Sequence, residues 1–120
     1  MKRTAIILGT EYKIKKKRYE KDVCFKENSV NGYCDSIGKE IVYCDMSTRP
    51  GWDRESPKRC MITEKETLRH EIVHAFLNES GLQENAITVG GSWASNEEMV
   101  DWIALQFPKI LDVCRQLDAI

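Results

Sequence analysis

No apolar run in this chain of 120 residues is longer than four, the longest being Ala5–Leu8, Ile41–Cys44 and Trp102–Leu105. A helix that crosses a bilayer needs about 20, so no membrane span is expected. Met1-Lys2-Arg3 is followed by only four apolar residues before Gly9-Thr10-Glu11, too few for the core of a secretory signal. Neither sign of charge is in excess: 18 Lys plus Arg stand against 19 Asp plus Glu. Nothing global therefore pulls the molecule toward nucleic acid or anionic lipid. No C-x-x-C occurs, which removes the usual signature of a zinc knuckle or a thioredoxin-type pair. The five cysteines, Cys24, Cys34, Cys44, Cys60 and Cys114, are odd in number and read as free thiols in a reducing compartment, the cytoplasm. Internal repeats, low-complexity tracts and linkers are absent as well.

What is present is the composition of a packed globular domain, with 42% hydrophobic and 31% charged residues. A chain of this length buries roughly two-thirds of its unfolded surface, enough for a core without staples. One α+β domain over residues 1–120 is expected: β-rich through 46, a loop over 47–62, then helices over 63–118. Ala5–Leu8, the alternation of Tyr12 and Ile14 with lysines, and Lys39–Met46 give about three strands. Asn31-Gly32 and Ser36-Ile37-Gly38 read as turns. Thr63 with Glu66 forms a capping box at the start of a helix that stops at Ser80-Gly81, and Ser95 with Glu98 opens a second helix. Pro108 is expected to end or kink that second helix, with a last amphipathic stripe beyond it.

Histidine is the scarcest residue with chemistry to offer. Both copies lie in one string, His70-Glu71-Ile72-Val73-His74, inside the first helix. Spacing i, i+4 puts the two imidazoles on one helical face, where both reach one metal ion. Glu71, beside the first of them, reaches a water at that metal as general base. Zinc that keeps a position for water needs a third protein ligand, here a carboxylate or a thiolate. Asn96-Glu97-Glu98-Met99-Val100-Asp101 offers candidates at the head of the second helix. Glu98, as part of the capping box, turns back toward the helix start. Glu97 shares a different face with Asp101, so Glu97 is the expected ligand, and Asp101 the group that fixes a histidine tautomer.

The pair His70-Glu71-x-x-His74 and Asn96-Glu97-x-x-Val100-Asp101 resembles the HExxH and NExxSD helices of the gluzincin zinc peptidases. Val100 stands where that family has a serine, which is not a ligand. The run from Glu97 to Ala104 is also similar to the second signature of ImmA/IrrE-type peptidases, small enzymes of phages, other mobile elements and stress responses. In length the chain is similar to minigluzincins. The resemblance spans residues 63–108 and implies one zinc ion held by His70, His74 and Glu97. It further implies a Glu71 that activates water and delivers its proton to the leaving amine, and an Asp101 that supports a histidine.

The resemblance implies hydrolysis of a peptide or protein substrate, with a small sheet packed on the HExxH helix and the ligand-bearing helix. Larger gluzincins stabilise the oxyanion with a His or Tyr outside these motifs. With no third histidine, Tyr33, Tyr43 and Arg49 remain as candidates. The family binds substrate along an edge strand ahead of the HExxH helix, expected here at Ile41, Val42 and Tyr43 within Lys39–Asp45, with a plain core strand as the equal alternative. The segment Leu82–Ser95, with Gly90-Gly91 and Trp93, offers a rim or a plain connector. Trp102 reads as core. Lys13, Lys15, Lys16, Lys17, Arg18 and Lys21 read as a solvated edge strand rather than a nucleic-acid patch. No spacing supports Cys34 or Cys44 as a latency ligand. The rival from another class is a non-catalytic or latent zinc-stabilised interaction module. Substrate preference, pathway and oligomeric state have no signature in the sequence.

Overall fold

The structure is a computed structural model describing residues 3–82, 87–88, 91–92, 94, 96–118 and 120. Strands β1 (Arg3–Ile7), β2 (Thr10–Arg18), β3 (Gly32–Asp35) and β4 (Glu40–Asp45) form a mixed sheet in the order β1-β2-β4-β3. β2 and β4 are parallel, while β1 pairs with β2 and β3 with β4 antiparallel. A parallel pair needs a crossover. The chain makes it through a short 3-10 turn, the one-turn helix α1 (Cys24–Glu27) and β3 itself. This sheet therefore has four strands rather than about three, because Gly32, read from sequence as part of a turn, opens β3 instead.

β4 is the spine of the domain. Its four successive residues Ile41–Cys44 are buried, as a strand covered on both faces requires. Ile41 and Tyr43 meet Ile7, Tyr12 and Ile14 on the face that receives Leu68, Ile72 and Ala75 of the long helix α2. Val42 and Cys44 point the other way, into Phe25, Met46 and Cys60, with Tyr19, Val30 and Trp52 around them. Each such fully buried apolar side chain contributes about 1.5–3 kcal/mol, so removing β4 packing would unfold the chain. Because β4 is hydrogen-bonded on both sides, the sequence-based assignment of Ile41, Val42 and Tyr43 to an exposed edge is corrected: the edges are β1 and β3. The lysine-rich β2 is an inner strand too. Its charges are balanced locally, Lys15 by Glu40, Lys16 by Glu64 and Lys17 by Asp22.

α2 runs from Pro57 to Glu79, starting six residues before the expected box at Thr63. Ser56 caps it by accepting from the Arg59 N–H, and Pro57 occupies the first turn, where its missing N–H costs nothing. Thr63 lies inside the helix, where its carbonyl accepts from the Thr67 hydroxyl. Two carboxylates anchor α2 to the sheet side. Glu64 accepts from the backbone N–H of Met46 and pairs with Lys16, and Glu79 accepts from Thr10, Tyr12 and Lys39.

α3 (Glu97–Gln116) packs across the face of α2 turned away from the sheet, burying Val100 and Ala104. Its cap is Asn96, whose side chain accepts from the Met99 N–H, rather than Ser95, which lies outside the described residues. Pro108 neither ends the helix nor leaves a loose carbonyl. It removes the N–H that Ala104 would receive, and the Arg69 side chain of α2 donates to that carbonyl instead, Nε to O at 2.9 Å. Trp102 is 58% exposed on the outer face of α3, not core as its helical position suggested. Residues 87–88 and 91–92 pair as a small antiparallel ladder, while Gly90 and Trp93 of the expected rim lie outside the described residues. The four described cysteines are unpaired. No described helix is long and apolar enough to cross a membrane.

Candidate metal centre

The centre is assembled by two helices held at a fixed register. On α2, His70 and His74 stand one turn apart, and their Nε2 atoms are 3.1 Å from each other. Glu97, in the first turn of α3, spans both: one carboxylate oxygen lies 2.9 Å from His70 Nε2 and the other 3.0 Å from His74 Nε2. Asp101, one turn further along α3, meets the opposite nitrogen of His70, Oδ1 to Nδ1 at 2.6 Å. That contact directs Nε2 of His70 inward and fixes its tautomer. The Arg69–Ala104 bond ties α3 to α2 one residue from His70 and three from Asp101.

Glu71 points to the sheet side of α2 and is the one described charged residue in the core, only 6% exposed. His70, Glu71 and His74 bring potential ligand atoms within 4.8 Å of one another. Burial raises the Glu71 carboxyl to about 7, while His70 pulls the other way. A cation among these groups would favour the carboxylate. Among the described residues no hydrogen-bond donor is committed to Glu71. No fully enclosed side-chain oxygen among the described residues lacks a partner, so the Glu71 oxygens open onto the cleft that the residue lines.

Two imidazole nitrogens and a carboxylate that converge at about 3 Å, with a carboxylate behind one imidazole, fit the donor set of a catalytic zinc site. On a tetrahedral ion, three such donors would leave a fourth position for water or substrate. The residues open onto a cleft of about 340 Å³ whose far wall is β3 and the turn after it, lined by Gly32, Cys34 and Ser36. β3 reaches the helix because residue 32 is glycine: a Cβ there would sit 2.7 Å from Thr67 Cγ2 of α2 and 2.8 Å from the Val42 carbonyl. The edge beside the centre is thus β3. Cys34, packed beneath the cleft, has its thiol pushed up to about 12 by burial first and by Glu71 second, and is neutral.

The three residues considered for oxyanion stabilisation do not reach the centre with their polar groups. Tyr33 borders the cleft through its backbone position, but strand alternation turns its ring to the Phe25 side and its hydroxyl donates to Asp22 at 2.5 Å. The Tyr43 hydroxyl accepts from Arg3, and Arg49 donates to the Val30 carbonyl and stacks over Tyr19. Sequence reasoning missed Asn78, which lines the cleft. Its spacing of four from His74, on the same helical face, was the available signal. Searches against protein-family models, curated proteins and solved structures find no match to this chain.

Proposed function

We propose that this protein is a zinc-dependent peptidase of gluzincin type, in which His70, His74 and Glu97 hold the metal and Glu71 is the general base. The observation that carries this reading is the convergence of Glu97 on both histidine Nε2 atoms at 2.9 and 3.0 Å, with Asp101 behind His70. A bound zinc supplies a Lewis acid that acidifies water to a pKa of about 7 and polarises a carbonyl. The chain's own residues do the rest. Glu71, buried and without a competing donor among the described residues, takes the proton of the attacking water and passes it to the leaving amine. Asp101 stabilises the His70 orientation throughout. β3, an edge strand whose outer side pairs with no other strand among the described residues, accepts an extended peptide by strand addition.

The other reading, a non-catalytic or latent zinc-stabilised module, draws on one observation: the hydroxyls of Tyr33 and Tyr43 and the Arg49 guanidinium are engaged away from the cleft. An anomalous-difference map at the zinc edge separates the two. His70, His74 and Glu97 as the only protein ligands support the peptidase, and a fourth protein ligand supports the latent module. Activity is then scored on a mixed peptide library with zinc-loaded wild type and Glu71→Gln. A variant that cleaves at the wild-type rate ends the peptidase reading.

A further inference from the structure

The two ends of the cleft differ in chemistry. β3 and α2 run side by side in the same direction. Gly32 lies against Thr67, Cys34 is close enough to Glu71 to feel its charge, and Lys39, just past the hairpin turn, pairs with Glu79. Val30 and Gly32 therefore flank one end, and Ser36 and Asn78 the other. The central groups, Glu71 and Glu97 with the inward-facing nitrogens of the histidines, are acceptors or metal donors. A peptide laid along β3 presents carbonyl oxygens, which need donors. Asn78 supplies one: it is half-buried, lines the cleft one turn beyond His74, and has no hydrogen-bond partner for its carboxamide among the described residues. The Ser36 hydroxyl across the cleft is uncommitted in the same sense.

We propose that Asn78 is a substrate-binding residue whose carboxamide N–H donates to a peptide carbonyl on the Ser36 flank of the centre. Antiparallel addition to β3, the more stable pairing, places the N-terminal side of the cleaved peptide on that flank. The role rests on the peptidase reading. It adds a grip outside the metal ligands and specifies a main-chain acceptor as what the grip recognises.

Calorimetric titration of the zinc-loaded protein with two hydroxamates tests it. Acetohydroxamate engages only the metal and Glu71, whereas an N-acetylated dipeptide hydroxamate carries a peptide arm on its N-terminal side. Asn78→Ala is expected to weaken the dipeptide hydroxamate about tenfold, the loss of one good hydrogen bond, and to leave acetohydroxamate within about twofold. Asn78→Asp keeps the shape but has no N–H, and should lose as much as Ala. Unchanged dipeptide binding in both variants overturns the proposal. So does an equal loss of both probes, which would mean that Asn78 acts through the metal or the fold. If acetohydroxamate fails to bind zinc-loaded wild type, the centre has no open position and the peptidase reading itself falls. That result is distinct from an Asn78-independent grip.

Discussion

Glu71 and Glu79 lie on the same helix eight residues apart, and the protein uses them in opposite ways. Glu79 ends α2 with its carboxylate accepting from the Lys39 ammonium, the Tyr12 hydroxyl and the Thr10 hydroxyl, and these contacts hold its carboxyl down at about 2. Glu71 sits in the middle, buried, without a committed donor among the described residues, its carboxyl raised to about 7. A carboxylate that serves the fold is saturated with donors. One left short of them, as Glu71 is among the described residues, is what the proposed general base requires, and its cost is tolerated by the rest of the helix. The comparison predicts that loss of Glu71 shows in activity and loss of Glu79 in stability.

The largest effect is expected at Glu71. Glu71→Gln removes the base while keeping the shape, so cleavage should fall about 10²–10⁴-fold with zinc stoichiometry unchanged. Metal content by emission spectroscopy beside single-turnover rates checks both halves. Loss of zinc together with activity would make Glu71 a ligand and break the contrast with Glu79.

Gly32→Ala tests the wall opposite Glu71. The added methyl meets Thr67 Cγ2 and the Val42 carbonyl at under 3 Å, and the backbone oxygen cannot move aside cheaply. A loss of about 2–3 kcal/mol in denaturant unfolding is expected, with β3 displaced from α2. If stability is kept, β3 is not seated by that contact and the cleft has another width.

How far the sequence could be read follows the same division. The convergence of His70 and His74 with Glu97 and Asp101 was legible because each pair is local to its helix, at i, i+4 on α2 and at the head of α3. The α+β class followed from periodicity. The strand order did not, because nothing in Ile41–Cys44 distinguishes a buried inner strand from an edge that happens to be apolar. Gly32 misled for a related reason: its use is close approach to Thr67, which is a property of the assembled structure, not of a turn. Ser56-Pro57 was a visible helix start, masked by reading residues 47–62 as loop. The continuation of α3 through Pro108 depends on Arg69, 39 residues earlier, and no local rule contains that partner.

Arg69 makes a smaller test. Arg69→Met keeps much of the apolar stem but leaves the buried Ala104 carbonyl without a donor, at a cost of about 1–2 kcal/mol. Because the bond ties α3 to α2 beside His70 and Asp101, zinc affinity should weaken more than stability does, as read by competition with a chromogenic chelator. The companion Pro108→Ala restores an N–H to Ala104, and in the Arg69→Met background it should recover most of the loss. Failure of that rescue would mean that Arg69 acts by some route other than the freed carbonyl.

The smallest effect, and the most direct test of the contrast, is the acid limb of stability in the metal-free protein. The Glu79 carboxyl is lower in the folded chain, about 2, than its ordinary 4.5. The unfolded state therefore binds its proton first as pH falls, and the stability that Glu79 confers is present above pH 4.5 and lost progressively between 4.5 and 2. Glu71 runs the other way. Its folded value of about 7 lies above 4.5, so its contribution is fully present below 4.5 and is lost as pH rises through 7. Glu79→Gln should flatten the fall of Tm between pH 4.5 and 2, and Glu71→Gln should flatten the fall between 4.5 and 7. Zinc should abolish the second window, because a bound cation holds Glu71 ionised, and leave the first untouched. Two variants that changed the same limb would show that these glutamates titrate as one network through α2, not as separate anchor and base.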